Sequence, residues 1–144
     1  MIELLLNGNN IEIHEDTLPC FEEIIAKCDN YDISSYGANN KCISVPNSCL
    51  FGLNPTTAFI HFREEKMILI CFVWRFSSER PKLSEIRNRR KNTCHIISNA
   101  LKMVPTISFP IVGKTRWRFG DITIVHQIFD RFGYEEDVTI CFDD

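Results

Sequence analysis

Short runs of apolar, β-branched and aromatic residues, which are typical of β-strands, occur near both ends and in the middle of this chain. Near the start, residues 2–6 and 11–14 flank an Asn-Gly dipeptide, which supplies the positive φ angles of a tight turn. Residues 57–63 and 66–76 are separated by a short charged stretch. The pattern therefore predicts an N-terminal hairpin and a longer antiparallel hairpin in the middle of the chain.

Two other segments place apolar residues at helical spacing. The first runs from Asp16, which together with the next residue can cap a helix, to Cys28, with Pro19 in its first turn. The second covers residues 82–104 and lies between two prolines. Because the strand at 66–76 is apolar on both faces, we expect this second helix to cover it.

The remaining stretches are harder to interpret. Residues 29–56 are dense in Asn, Ser, Gly and Pro, so we expect a long connection with one short strand near 42–45. After a connector flanked by prolines, residues 115–142 return to strand-like patterns, with a turn expected at 133–136. We therefore predict a single α+β domain over residues 1–144. Its twisted, mostly antiparallel sheet of about five to seven strands has two helices packed against it.

Composition excludes several classes of protein. Hydrophobic residues make up 44% of the 144 residues and charged residues 24%, which is typical of globular proteins rather than disordered ones. The longest apolar run, Met67–Trp74, is far shorter than the ~20 residues that cross a bilayer. No secretory signal is recognisable, and the seven cysteines lack the close spacing of zinc ligands. We expect a cytoplasmic protein with reduced thiols, no metal and no cofactor.

The net charge of −3 hides a strong segregation of charge. Residues 1–40 have a net charge of −7, residues 41–131 of +9, and residues 132–144 of −5. Either the acidic ends fold over the basic middle, or they leave a surface of one sign that attracts an oppositely charged partner. The sequence alone leaves both interpretations open.

The familiar catalytic motifs are absent from the sequence, which favours a protein that is not an enzyme. A thiol enzyme remains one alternative, with Cys49 beside His61 or His126 as a nucleophile and base, or with Cys94 as the nucleophile. Cys94 and the adjacent histidine do not face each other on a helix, because neighbouring residues point about 100° apart.

A second alternative is a module that binds nucleic acid or another anionic partner. It would use the basic helix at 82–104 and the basic-aromatic segment Arg116–Arg118. A whole-chain pI of about 5.8 makes nucleic acid an unfavoured partner, since nucleic-acid-binding domains are usually basic. The candidate anion-binding residues are Arg87, Arg89, Arg90, Lys91, Arg116 and Arg118.

Three local features suggest a family. They are the Phe51-Gly52 loop leading into the hairpin of Phe59, Phe62, Met67 and Trp74, the segment Trp117-Arg118-Phe119-Gly120-Asp121 that starts a strand, and the final turn and strand from Tyr134 to Phe142. In outline, the chain resembles the immunity proteins of bacterial polymorphic toxin systems, including those of contact-dependent growth inhibition. The resemblance implies tight, non-catalytic binding that blocks the active site of a cognate toxin domain.

Toxin nucleases are commonly cationic because their substrates are polyanions, so an acidic face on an inhibitor would speed association. The acidic residues near the first hairpin and helix are the best candidates, and those near the C-terminus could extend them. The alternative for each is an ordinary solvated carboxylate. The candidate partner-binding residues are Glu12, Glu15, Asp16, Glu22, Glu23, Glu135, Glu136 and Asp137.

Overall fold

The structure is a computed structural model that describes residues 1–14, 16–77, 80–109, 114–130 and 133–142. The elements in chain order are β1 (Ile2–Leu6), β2 (Asn9–Ile13), α1 (Phe21–Lys27), β3 (Asp32–Tyr36), β4 (Asn40–Leu50), β5 (Thr56–Arg63), β6 (Lys66–Arg75), α2 (Leu83–Leu101), β7 (Ile107–Phe109), β8 (Lys114–Phe119), β9 (Ile122–Asp130) and β10 (Tyr134–Phe142).

The strands form one antiparallel sheet in the order β2-β1-β4-β5-β6-β10-β9-β8-β7, and β3 pairs with β4 beside this path. This confirms the α+β class, the antiparallel sheet and the two helices. The predicted five to seven strands are an undercount, because the described residues contain ten. Within the same residues, no helix is both long enough and apolar enough to cross a membrane.

Both predicted hairpins are confirmed. In the first, Asn7 and Gly8 have φ angles of 51° and 85°, as a tight turn with two left-handed residues requires. In the second, Glu64 and Glu65 take the same role, with φ angles of 52° and 68°. The turn geometry thus fixes the register between β5 and β6.

The prediction of a long irregular connection over 29–56 is wrong, although the one short strand expected near 42–45 is confirmed as part of β4. Residues 32–36 and 40–50 form β3 and β4, although their Ser and Asn content disfavours strands. β4 remains in the sheet by changing register between Val45 and Ser48, where Asn47 has a φ angle of 51°. This irregularity lets its first part pair with β5 and its last residues pair with β1.

Three boundaries also differ from the prediction. α1 begins at Phe21 rather than at Asp16, because the Thr17 amide donates a hydrogen bond to the His14 carbonyl in a turn before the helix. The expected connector contains the short strand β7. Finally, Glu136 belongs to β10 and not to a turn, since that strand already starts at Tyr134.

Both helices pack against one face of the sheet, which we call the helix face. One row of cross-strand neighbours defines it, running Ala58, Phe72, Val138, His126 and Thr115. The opposite face carries the alternate residues of these strands. On the helix face, the ring of Phe21 meets that of Phe62 edge to face, with centroids 5.4 Å apart.

α2 lies over β8, β9 and β10. It also reaches the end of the segment 66–76, where the Arg89 guanidinium lies 4.8 Å from the centre of the Phe76 ring, so the expected cover of that segment is confirmed only at its end. The Trp117 indole donates a hydrogen bond of 3.0 Å to the Ser98 hydroxyl, which fixes the C-terminal half of the helix on β8. The buried stripe of α2 consists of Ile86, Thr93 and Ile97. Leu83 and Val104 extend the apolar pattern in sequence, but they are 62% and 78% exposed.

Candidate functional site

The first candidate site is the acidic surface of the N-terminal hairpin and α1. Among the predicted partner-binding residues, Glu12, Asp16, Glu22 and Glu23 are exposed. Glu15 lies outside the described residues. The sheet register also places Glu3 directly opposite Glu12, and directly opposed like charges destabilise a sheet.

A cavity of about 380 Å³ lies between β2 and α1 at this surface. Ile11 of β2 and Ile24 of α1 contribute apolar walls, and Glu12 and Glu23 contribute carboxylates. Lys27 is a base at the same cavity. An apolar hollow with carboxylates beside it is chemically suited to the stem and the charged head of a lysine or arginine side chain.

Two of the three C-terminal residues that were expected to extend this acidic surface are buried. Glu136 and Asp137 are only 3% and 6% exposed, so neither can contribute to an exposed acidic surface. Glu135 is partly exposed and its carboxylate lies 3.7 Å from the Arg75 guanidinium. The burial follows from β10 running through the interior of the sheet, between β6 and β9.

The candidate anion-binding residues do not form one surface. Arg87 and Lys91 are exposed on α2, which covers the helix face. Arg116 and Arg118 alternate along β8 with residues that contact α2, so they lie on the opposite face. Arg89 and Arg90 are half-buried on α2.

A second candidate site lies between α2 and the sheet, where a thiol, an imidazole and a carboxylate meet. Cys94 Sγ of α2 lies 3.6 Å from His126 Nδ1 of β9. On the other side of the ring, His126 Nε2 lies 2.8 Å from Glu136 Oε2 of β10. The Thr115 hydroxyl of β8 lies 3.5 Å from the sulfur.

Two further groups of α2 hold the Glu136 carboxylate. The Arg89 guanidinium donates to Oε1 at 2.9 Å, and the Thr93 hydroxyl donates to Oε2 at 2.8 Å. Burial alone raises the pKa of Glu136, but the hydrogen bonds from His126 and Arg89 outweigh it and lower the pKa. Glu136 is therefore ionised at neutral pH, and its buried carboxylate is hydrogen-bonded to Arg89, Thr93 and His126.

The charges of the other two groups follow from that carboxylate. Burial lowers the pKa of His126, but its hydrogen bonds to Cys94 and Glu136 raise it to about 9. Burial likewise raises the pKa of the Cys94 thiol, but the hydrogen bonds with His126 and Thr115 outweigh burial and lower it. The arrangement thus favours an imidazolium next to a thiolate.

In the sequence, Cys94 and His126 are separate candidates with no sign that they meet. Glu136 falls in the turn that the sequence predicts at 133–136. One signal in the sequence points to this network. His126 is in phase with Ile122, Ile124 and Ile128, so it must face the core of any strand that buries those residues. A buried histidine needs partners, and these can come only from other elements.

The other thiols are placed differently. Cys49 lines a cavity of about 880 Å³ together with Met1, Leu5 and Phe51, and His61 is paired with Cys42 instead. Cys42 Sγ lies 3.8 Å from His61 Nε2, and the Tyr36 hydroxyl lies 2.8 Å from Nδ1. Burial raises the pKa of Cys42 and lowers that of His61, so both groups are neutral at pH 7.

Neither candidate site is built to hold a metal. In the described part of the chain, no group of three or more His, Cys, Asp and Glu side chains is placed to bind one ion. At the second site, the ring of His126 separates the sulfur of Cys94 from the carboxylate of Glu136. The three groups therefore form a chain, and they do not converge on a common point.

Comparisons with known proteins add no relationship to this picture. The sequence matches no family model, and neither the curated proteins nor the solved structures gave a match. The function must therefore be inferred from the chemistry of the two sites.

Proposed function

We propose that this chain is a non-catalytic immunity protein that binds a cationic toxin domain, most simply a nuclease, and blocks its active site. The observation that carries the proposal is the cavity between β2 and α1, in which Glu12 and Glu23 lie beside apolar walls. Binding requires no chemistry, because shape and charge at this surface are sufficient to occlude a partner. We place the encounter in the reducing cytoplasm.

The charge of the surface around this cavity supports a basic partner. Seven exposed carboxylates and one lysine lie in the described residues between 1 and 32. The carboxylates are Glu3, Glu12, Asp16, Glu22, Glu23, Asp29 and Asp32. A surface of one sign speeds the encounter with an oppositely charged protein by a factor of about 10 to 1,000 at low salt.

The opposed pair of Glu3 and Glu12 supports the same proposal, because the repulsion between the two carboxylates destabilises the free hairpin. Two like charges at one cross-strand position disfavour the hairpin, and an oppositely charged residue at either position would stabilise it. A bound lysine or arginine of a partner relieves the repulsion, so the pair stabilises the complex more than the free protein.

The test uses the domain encoded by the gene next to the one for this chain. We expect that domain to be toxic when expressed alone and harmless when this chain is expressed with it. Purified, the two proteins should form a complex that survives gel filtration. A neighbouring product that is not toxic, or that this chain does not neutralise, contradicts the proposal.

The binding surface is tested by reversing three charges, with Glu12→Lys, Asp16→Lys and Glu23→Lys in one variant. We expect the association rate measured by stopped flow to fall at least tenfold at low ionic strength, and the deficit to shrink as salt is added. The matched control changes net charge equally at exposed acids elsewhere, with Glu64→Lys, Glu85→Lys and Asp121→Lys. Equal rates for the two variants would place the interface on another surface.

A further inference from the structure

The Cys94–His126–Glu136 chain between α2 and the sheet has no role in the proposed binding surface. Its order is that of an activated nucleophile, in which a base contacts the thiol and a carboxylate orients the base. Cys94 is a partly exposed residue, whereas His126 is fully buried and Glu136 is 3% exposed. Of these three residues, Cys94 is therefore the one that a molecule from solution can approach.

We propose that Cys94 is a modification site, a nucleophilic thiol activated by His126 and Glu136 that reacts with small oxidants of the peroxide class. The inference is independent of the proposed function, because it concerns a different part of the molecule and a different chemistry.

The charged groups around the sulfur support this role. From α2 itself, the charge of Arg90 favours the thiolate, and from β9 the charge of His126 does the same. From β8, the Thr115 hydroxyl oxygen accepts a hydrogen bond of 3.5 Å from the Cys94 thiol. From β10, the Glu136 carboxylate keeps His126 protonated and is in turn paired with Arg89. Anion and cation thus alternate from Cys94 through His126 and Glu136 to Arg89, and Arg90 is a third cation that acts on the sulfur.

The reaction balances with the groups present and a proton from the solvent. The Cys94 thiolate attacks one oxygen of the peroxide, so that an S–O bond forms as the O–O bond breaks. The sulfur loses two electrons, which the peroxide gains. With hydrogen peroxide, the departing hydroxide takes a proton from the solvent and leaves as water. The products are a sulfenic acid at Cys94 and water, and the buried His126 keeps its proton.

The same geometry argues against hydrolysis of a larger substrate. A hydrolytic base must later donate its proton to a leaving group, and a fully buried His126 can reach only the sulfur. Cys94 also lies in the middle of α2, where the helix provides no unpaired backbone amides for an oxyanion. A molecule as small as a peroxide has neither requirement.

The first experiment measures alkylation of the native protein by iodoacetamide across pH, with each cysteine followed by peptide mass spectrometry. Cys20 is the internal reference, since it is exposed. Between pH 8.5 and 6.5 an ordinary thiol loses most of its thiolate, whereas an activated thiol keeps much of it. We expect the ratio of Cys94 to Cys20 rates to rise about tenfold over this range, and a constant ratio would overturn the proposal.

The second experiment treats the protein with hydrogen peroxide and traps sulfenic acid with dimedone. We expect the adduct on Cys94 well before Cys42, whose imidazole neighbour has no carboxylate behind it. Glu136→Gln should slow the labelling of Cys94 at least fivefold. Glu135→Gln, at the adjacent strand position, should leave it unchanged. Equal labelling of Cys42 and Cys94, or equal effects of the two variants, would refute the activation of Cys94.

The ratio of Cys94 to Cys20 rates is read in the unmodified protein, so it decides the proposal even if Glu136→Gln fails to fold. Cys71 provides a second internal standard. Burial raises the pKa of Cys71 to about 11, so its labelling should remain slow throughout the pH range. Rapid labelling of Cys71 would indicate that the protein opens, and labelling of Cys94 under the same conditions would then count against the proposal.

Discussion

Two cysteine–histidine pairs lie on opposite faces of the same sheet, and they differ in charge. Cys42 and His61 approach to 3.8 Å, and Cys94 and His126 to 3.6 Å, so the contact between sulfur and imidazole is nearly the same. The second ring nitrogen makes the difference, since that of His61 meets the Tyr36 hydroxyl and that of His126 meets the Glu136 carboxylate.

Proximity of a thiol and an imidazole therefore does not by itself produce an ion pair. A phenol hydroxyl is neutral and cannot repay the cost of burying a protonated ring, so the pKa of His61 is lowered mainly by burial. A buried carboxylate offsets the free energy of burying the protonated ring, and the pKa of His126 rises to about 9. Three predictions test this difference, given in order of decreasing effect on stability.

Removing the carboxylate is expected to have the largest effect. Glu136→Leu keeps a side chain of similar size but leaves His126 and Arg89 without their anion. Losing one partner of a buried ion pair costs about 3–5 kcal/mol, which urea unfolding can measure. The matched variant at the other pair, Tyr36→Phe, should cost no more than about 1 kcal/mol. Similar losses in both variants would show that the two pairs are equivalent.

Replacing each thiol by a hydroxyl should change the pH dependence of stability at one pair only. The folded pKa of His126 lies above its ordinary value of 6.5, so its contribution is complete below pH 6.5 and is lost as pH rises through about 9. The lowered pKa of Cys94 acts with the opposite sign, because its contribution grows as pH rises towards the ordinary thiol value of 9.0.

Cys94→Ser removes the thiolate contribution, and His126 keeps the part of its raised pKa that Glu136 supplies. We therefore expect the free energy of unfolding of this variant to fall more steeply between pH 6.5 and 9 than that of the unmodified protein. Cys42→Ser should follow the pH profile of the unmodified protein. Parallel profiles for all three proteins would mean that Cys94 and His126 do not form an ion pair.

The smallest effect concerns Asp137, a carboxylate on the opposite face on which the charges of His126 and Lys114 act without outweighing burial. Its Oδ2 accepts a hydrogen bond of 3.0 Å from Gln127, but among the described residues the buried Oδ1 has no hydrogen-bond partner. Burial raises the pKa of Asp137, so the ionised form destabilises the fold at neutral pH.

Asp137→Asn keeps the acceptor for Gln127 and removes the charge. We expect it to stabilise the protein by about 1 kcal/mol at pH 7 in urea unfolding. Since the folded pKa lies above the ordinary value of 3.8, protonation recovers this stability, and the gain should disappear as pH falls towards 3.8. A loss of stability at pH 7 would show that the Asp137 carboxylate has a cationic partner.

Much of the fold could be predicted from local patterns. The Asn-Gly turn and the β-branched runs of β5 and β6 specify their hairpins directly. β4 could be predicted only near 42–45, because its pattern is interrupted at Pro46 and Asn47, where the register shifts. Sheet pairing on both sides holds this segment in place, and that pairing involves residues distant in sequence.

The second site could not be predicted from local sequence patterns either, because its residues are distant in sequence. Cys94 and His126 are 32 residues apart, and Glu136 is a further ten. Their meeting depends on the register that places His126 beside Val138 and Thr115, and on where α2 rests on the sheet. Sequence reasoning could show that His126 faces a core, but it could not show that a thiol and a carboxylate face the same core.

The order of the strands leaves β2 and β7 at the two ends of the main path of the described sheet, and β3 is a further edge beside β4. An end strand is a template on which a strand from another molecule can grow, and long, flat, uncharged ends invite fibrils. In the described residues β7 spans three residues, and β2 carries Glu12 opposite Glu3. The carboxylates that we propose for partner recognition thus also disfavour the pairing of β2 with a strand of another copy.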